Sequence, residues 1–258
     1  MKYSSLLSVT VALCFSPVLN AQTFVVDFET DDTGAPLVAG AVDLQAKQPY
    51  ANLFGGDKGL TITSGNSATN PLNLYNTEAT GGADDDLERN STGTGDWAGG
   101  SLTRDVLHNV LIINTNTDLT TPNDSGSGGE FGLEFDVDLI SFGFDFVDLD
   151  RSESGAITFL DTNTGRSQTI QFTEFESGSG SVFEREGVLF GNRHANRVDE
   201  ITATSLGLSS FDQITFTMKS SGGIGTLYGT TLVDSVPEPS SALLLLSGLT
   251  FLGFKRRR

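Results

Sequence analysis

The chain has 258 residues, with 33 acidic and 15 basic side chains, so its formal net charge is −18 at pH 7. Such an acidic protein repels nucleic acids and anionic membrane surfaces, which excludes both as direct partners, and it attracts divalent cations. Cys14 is the only cysteine in the sequence, so disulfide bonds cannot stabilise the protein.

Residues 1–21 are predicted to be a secretory signal peptide. Lys2 supplies the positive charge at the start, residues 6–19 form the apolar core, and Ala21 is the small residue that cleavage requires. A signal anchor is the alternative, but Ser16 and Pro17 interrupt the apolar stretch. Cleavage after Ala21 would also remove Cys14 from the mature protein.

The body, residues 22–235, is predicted to be a single all-β domain. Asn109–Ile113 is a continuous apolar run, as expected for a strand buried on both faces. Residues 131–137 and 141–147 alternate between apolar and polar side chains, which puts their phenylalanines on one face of each strand. Short strands separated by turn signals favour an antiparallel β-sandwich, which we expect to be jelly-roll-like. The other predicted strands cover residues 24–28, 59–63, 156–160, 169–175 and 214–218.

Acidic loops follow several of these strands. Asp84 and Asp86 end a glycine-hinged run, Asp124 lies in a second loop, and Asp148 follows the phenylalanine-rich strand. Calcium ions need several oxygen ligands, which carboxylates and carbonyls on loops can supply. These four aspartates are therefore candidate Ca²⁺ ligands, and the alternative is a set of solvated acidic turns that keep the protein soluble.

The two ends of the body carry a second candidate metal site. Asp27 and Glu29 lie on the first predicted strand, and Asp234 lies just after the last one. In many carbohydrate-binding jelly rolls the terminal strands pair, and acidic residues near both ends hold a structural Ca²⁺. This argument is an analogy between folds, and exposed carboxylates on a strand are the alternative.

The sequence favours a protein without catalytic activity. Its two histidines, His108 and His194, lie far apart, and no Gly-x-Ser-x-Gly nucleophile motif is present. A hydrolase with a pair of acidic residues is therefore the least favoured hypothesis. Trp97 could form an exposed platform on which a sugar stacks, as in a lectin-like module, and a tryptophan of the core is the alternative.

The C-terminal segment, residues 236–258, has three parts. The residues Val236, Pro237, Glu238 and Pro239 form a rigid extended motif, because each proline fixes its own φ and restricts the residue before it. Residues 240–254 carry no charge and would form a helix of about 22 Å, a short span for a bilayer core of about 30 Å. A basic stop sequence completes the chain and would stay in the cytoplasm: Lys255, Arg256, Arg257 and Arg258.

This tail resembles the PEP-CTERM sorting signal of Gram-negative bacteria. The resemblance implies that the secretion machinery exports the protein across the inner membrane and that an exosortase then cuts near the motif. The C-terminal helix would anchor the protein in the membrane only until it is cut. The protein would be delivered to the cell surface or to the extracellular polysaccharide matrix of a biofilm.

The body also resembles a type that recurs among PEP-CTERM proteins of unknown function. The resemblance is carried by residues 80–87, Asn109–Ile113 and the loop 122–129, and it implies one domain with this order of loops. Our leading hypothesis is a non-enzymatic, Ca²⁺-stabilised protein of the cell surface or matrix. The alternative is a secreted carbohydrate-binding module that takes extracellular polysaccharide.

Overall fold

The computed structural model describes residues 19–41, 43–65, 69–90, 93, 95–151 and 155–234. Most of the predicted signal peptide and the whole sorting signal, residues 236–258, lie outside these residues. Ala21–Leu232 forms one compact unit. The division of the chain at residues 21 and 235 stays a prediction.

The described residues are almost entirely β-structure, with a single short α-helix, α1 (Leu44–Lys47), and two 3₁₀ turns, Phe172–Phe175 and Thr204–Leu206. Among them no helix is long and apolar enough to cross a membrane. Eleven strands form one sheet: β1 (Leu19–Val26), β2 (Tyr50–Gly55), β3 (Lys58–Ser64), β4 (Leu72–Asn76), β5 (Asn109–Ile113), β6 (Gly129–Val147), β7 (Ala156–Asp161), β8 (Arg166–Gln171), β9 (Ala195–Thr202), β10 (Phe211–Met218) and β11 (Gly223–Asp234).

The long strand β6 organises the sheet. Its first half pairs with β3 and β10, and its second half pairs with β11 and β9, antiparallel in every case. The register on β11 skips Ile140, which marks a bulge between the halves. Bulges bend a strand and increase its twist. The sheet therefore curls, and the prediction of an all-β antiparallel fold is confirmed.

The bulge explains why the sequence reads as two strands. In the first half of β6 the odd-numbered apolar residues, such as Phe131 and Leu133, are buried, whereas in the second half Phe142, Phe144 and Phe146 take the core positions. The change of phase brings Phe144 against Phe216 of β10, with ring centroids 5.1 Å apart. The curled sheet thus packs against itself through phenylalanine side chains.

Phe144 lies at the centre of this aromatic core. It is fully buried, and its ring contacts five other phenylalanines: Phe142, Phe146, Phe172, Phe175 and Phe216. We expect Phe144→Ala to lower the free energy of unfolding by about 3–5 kcal/mol, because it leaves a large cavity. Urea unfolding measures this loss. The matched control is Val182→Ala, at a position that is 88% exposed, and a loss no larger than in that control would contradict the assignment of the core.

A second, smaller apolar cluster covers the other face of β5 and of the end of β6. As a result all five residues of β5 are buried, as the apolar run predicts. Trp97 belongs to this cluster. It is only 3% exposed, and its Nε1 donates a hydrogen bond to the carbonyl oxygen of Asp105 at 3.0 Å. The hypothesis that Trp97 is an exposed platform for a sugar is therefore wrong.

Several elements differ from the sequence prediction. The strand predicted over residues 169–175 ends at Gln171, and the 3₁₀ turn that follows buries both Phe172 and Phe175, which are out of phase in a strand. The strands β2, β4, β9 and β11 were not predicted, because polar residues and glycines break their alternation. The first strand ends at Val26, and Phe28 then takes a left-handed backbone conformation with φ of 60°.

Candidate functional site: a cluster of aspartates

The fold brings together four of the seven predicted metal ligands. Asp84 and Asp86 lie in the loop between β4 and β5, Asp124 lies in the loop between β5 and β6, and Asp148 directly follows β6. Asp84, Asp124 and Asp148 are less than 10% exposed, and Asp86 is half-buried. We call these four residues the aspartate cluster.

Asp84 stands at the centre of the aspartate cluster. The carboxyl groups of Asp86 and Asp124 both influence the pKa of the Asp84 carboxyl group. The backbone N–H of Asp124 also donates to Oδ2 of Asp84 at 3.2 Å. Negative charges this close to one another disfavour ionisation of the cluster as a whole.

Two further turns complete the surroundings of the aspartate cluster. Ahead of β9, the Asn192 amide donates to Asp86 at 3.3 Å, and the backbone N–H of Arg193 donates to Asp148 at 2.7 Å. In the turn between β10 and β11, the Ser221 hydroxyl donates to Asp148 at 3.4 Å, and the Gly222 N–H donates to Asp124. These donors were not predicted from the sequence, because the strands β9 and β11 that place them were not predicted either.

The backbone at Asp148 is held in an uncommon conformation. Asp148 and Arg193 both have left-handed φ values, 63° and 58°. Hydrogen bonds join the two turns: the Asp148 carboxylate accepts from the Arg193 N–H, and the Asp148 N–H donates to the carbonyl oxygen of His194 at 3.1 Å. Such conformations cost energy and persist only where surrounding contacts fix them. The position of the Asp148 carboxylate is thus well defined.

The guanidinium of Arg193 ties the loop between β4 and β5 to this turn. It donates to the carbonyl oxygens of Glu88, Arg89 and Asp96, the shortest of these distances being 2.8 Å to Arg89. Its charge lowers the pKa of Asp86, although this effect is smaller than those that raise it. Negative charge on the aspartate cluster is therefore only partly compensated.

The surroundings raise the pKa of every member of the aspartate cluster. Burial raises the pKa of Asp84 and of Asp124 to about 6 and that of Asp148 to about 7. For Asp86 the hydrogen bond to Asp84 is the main cause, and its pKa is also raised to about 6. Burial penalises the charged form of a carboxyl group, and neighbouring negative charges add to the penalty. The cluster consequently exchanges protons near neutral pH.

The aspartate cluster is not arranged as a finished metal site. Within the part of the chain that the structure describes, no group of three or more histidine, cysteine, aspartate or glutamate side chains is placed so that it could hold a metal ion. For a cation to bind there, the carboxyl groups would have to ionise and the side chains would have to turn towards it.

The other three predicted ligands take part in different contacts. The Glu29 carboxylate accepts from the backbone N–H of Asn109 at 2.7 Å, and the Asp27 carboxylate accepts from the N–H of Glu29 at 2.9 Å. Both lie near the buried hydroxyl of Tyr50, whose pKa is raised by burial and then by the charge of Asp27. The side chain of Asp234 is outside the described residues. The structure therefore does not join Asp27 or Glu29 to the aspartate cluster.

Comparison with known protein families identifies the C-terminal segment. Residues 235–258 match the family model described as the PEP-CTERM protein-sorting motif. The chain carries a PEP-CTERM sorting signal. This motif indicates export, processing by an exosortase and sorting to the cell surface. No curated protein matches the chain. The match covers only these C-terminal residues, so the activity of the body has to be argued from the geometry.

Proposed function

We propose that the body of this PEP-CTERM protein is a non-enzymatic β-domain that Ca²⁺ stabilises at the surface of a Gram-negative cell or in its extracellular matrix. The observation that carries the proposal is the convergence of Asp84, Asp86, Asp124 and Asp148, which come from three separate loops. An exported domain whose one cysteine lies in the predicted leader needs another means of fixing its loops, and a bound cation supplies one.

The chemistry of the aspartate cluster suits calcium. Calcium takes six to eight oxygen ligands at about 2.3–2.6 Å and tolerates irregular geometry, so side chains and backbone carbonyls from flexible loops can share the task. The four carboxyl groups have pKa values of about 6–7, so most of them lose their protons in a slightly alkaline medium. The resulting negative charges repel one another, and a divalent cation offsets that repulsion.

The surroundings of the carboxyl groups support a structural role rather than a catalytic one. Each member of the aspartate cluster accepts hydrogen bonds from other residues of the protein. A cavity of about 350 Å³ adjoins the same loop, and the described residues that line it include no acidic residue and no histidine. These lining residues offer no pair of carboxylates for glycoside hydrolysis.

Thermal unfolding of the full-length chain in mild detergent tests the calcium proposal. At about pH 8, Ca²⁺ at a hundredfold excess over its dissociation constant should stabilise the native state by about 2.7 kcal/mol relative to a chelator. Sodium at matched ionic strength should have no such effect. Asp84→Asn should abolish the shift, whereas Asp57→Asn, at an exposed turn between β2 and β3, should leave it intact. If Ca²⁺ leaves the melting temperature unchanged, the cluster is a set of hydrogen-bonded acids and binds no calcium.

A further inference from the structure

One face of the curled sheet presents a row of four threonines and one glycine in register across five strands. Cross-strand pairs join Thr63 on β3 to Gly132 on β6, Gly132 to Thr215 on β10, Thr215 to Thr158 on β7, and Thr158 to Thr169 on β8. All are half-buried or exposed. We define the threonine face by this row together with Thr61, two residues before Thr63: Thr61, Thr63, Gly132, Thr158, Thr169 and Thr215.

The spacing of this row follows from the geometry of a sheet. Neighbouring strands lie about 4.8 Å apart, and residues two positions apart on one strand are about 6.8 Å apart on the same face. The row therefore offers hydroxyl groups on four of its five strands, with a gap at Gly132 on β6. On β7 and β8 the hydroxyls of Thr158 and Thr169 are hydrogen-bonded to each other at 2.9 Å, so these two side chains order each other.

Gly132 leaves a hollow in the middle of the row. The hollow has a volume of about 120 Å³, and Thr63, Thr215, Glu130 and Glu134 are among the residues that line it. A Cβ atom at position 132 would lie only 2.7 Å from the Thr63 hydroxyl. A larger residue would thus clash with the Thr63 hydroxyl, which lies over the glycine at one side of the hollow and donates to its carbonyl oxygen at 3.5 Å.

The chemistry of the threonine face selects its ligand. Threonine hydroxyls donate and accept hydrogen bonds, and the carboxylates of Glu130 and Glu134 accept them. These two negative charges and the acidic chain repel anionic polymers. Among the described strand residues on this face, Leu160 is the one large apolar side chain, so an apolar protein partner would bury little area there. A neutral polyhydroxylated chain meets all three conditions.

We propose that the threonine face binds a neutral polysaccharide chain, with sugar hydroxyls bonded to the threonines and one sugar substituent seated in the hollow at Gly132. The inference rests on the proposed location of the protein at the cell surface or in the matrix, where polysaccharide is present. It is independent of the calcium proposal, because none of these residues belongs to the aspartate cluster.

Affinity electrophoresis tests the proposal. The full-length chain in mild detergent is run through native gels that contain hydroxyethyl cellulose, dextran or xylan, and through a gel that contains alginate as the anionic control. At least one neutral polymer should retard the protein, and alginate should not. Both Ca²⁺ and chelator conditions are used, so that a failure of calcium binding is distinguished from a failure of glycan binding.

The decisive variant is Thr158→Val with Thr215→Val, which removes two hydroxyls and keeps the β-branched shape. Because two hydrogen bonds to the sugar are lost, the affinity should fall about fivefold or more. Thr169→Val, at an exposed position of β8, gives a second reading if the double variant folds poorly. Thr230→Val on β11 lies outside the face and should bind normally. Retardation by no neutral polymer, by alginate alone, or to the same extent in the wild type and the Thr variants would overturn the proposal.

Discussion

In calcium-free buffer the protein is expected to lose stability as the pH rises from about 5 to about 8. The cause is the aspartate cluster, in which the pKa values of Asp84, Asp86 and Asp124 are raised from 3.8 to about 6 and that of Asp148 to about 7. Thermal unfolding at a series of pH values measures the effect.

The direction of the change follows from proton linkage. Between the unfolded and folded pKa values, the folded state binds more protons than the unfolded state, so the free energy of unfolding falls as the pH rises. The stabilisation by these protons is complete below about pH 4 and is lost as the pH passes through about 6 to 7. One pKa unit corresponds to about 1.4 kcal/mol, and the four coupled groups do not add, so a total loss of about 3 kcal/mol or more is expected.

Calcium should reverse this dependence. A cation that binds the ionised cluster competes with its protons, so added Ca²⁺ should restore stability at about pH 8 and have little effect at about pH 5. Asp84→Asn removes the central charge, so it should flatten the pH profile and raise the stability of the calcium-free protein at pH 8. The exposed control Asp57→Asn should follow the wild-type profile. A wild-type profile that is flat or rises between these pH values would show that the cluster does not control stability.

The sequence predicted the strands whose pattern of apolar residues follows directly from burial. The apolar run Asn109–Ile113 and the alternation before and after Ile140 predicted buried strands, because burial on one or both faces imposes those patterns directly. The same patterns could not show that residues 129–147 form a single bent strand. That outcome depends on which strands pair with each half of β6, and pairing partners lie far away in the sequence.

The sequence predicted that the candidate site is built from acidic residues, but it could not show which acidic residues come together. The acidic loops at the ends of strands pointed to Asp84, Asp86, Asp124 and Asp148. Asp27 and Glu29 are acidic too, but their carboxylates make other contacts. The donors at Asn192, Ser221 and Gly222 reach the cluster only because β9 and β11 flank β6. Trp97 shows the same limit, since a glycine-rich setting suggested exposure and the loop folds over it instead.

The ion pair between Asp145 on β6 and Arg197 on β9 should contribute far more to stability than an exposed ion pair does, because its carboxylate is buried. Asp145 is only 1% exposed, and Arg197 on β9 binds both of its carboxylate oxygens, at 2.7 and 2.8 Å. The guanidinium also lies 5.6 Å from the centre of the Tyr228 ring. Burial raises the pKa of Asp145, and the hydrogen bonds from Arg197 oppose that shift.

Arg197→Ala is expected to lower the free energy of unfolding by about 3–5 kcal/mol at neutral pH, because it leaves a buried carboxylate without a partner. Without Arg197 the pKa of Asp145 should rise further, so the penalty should grow as the pH rises and shrink in acid. The control is Arg151→Ala, which breaks a pair with Glu176 of the same 2.7 Å length in which the arginine is 72% exposed, and which should cost less than about 1 kcal/mol.

Chemical unfolding of a double-mutant cycle isolates the interaction between the two residues. Asp145→Asn in the Arg197→Ala background removes the unpaired charge and keeps a side chain of nearly the same shape, so it should recover part of the lost stability. Arg197→Lys keeps the positive charge but cannot bind both oxygens in the same planar geometry, so it should fall between the wild type and Arg197→Ala. Equal losses of unfolding free energy for Arg197→Ala and Arg151→Ala would contradict this prediction. They would mean that water solvates the Asp145 carboxylate once the arginine is gone.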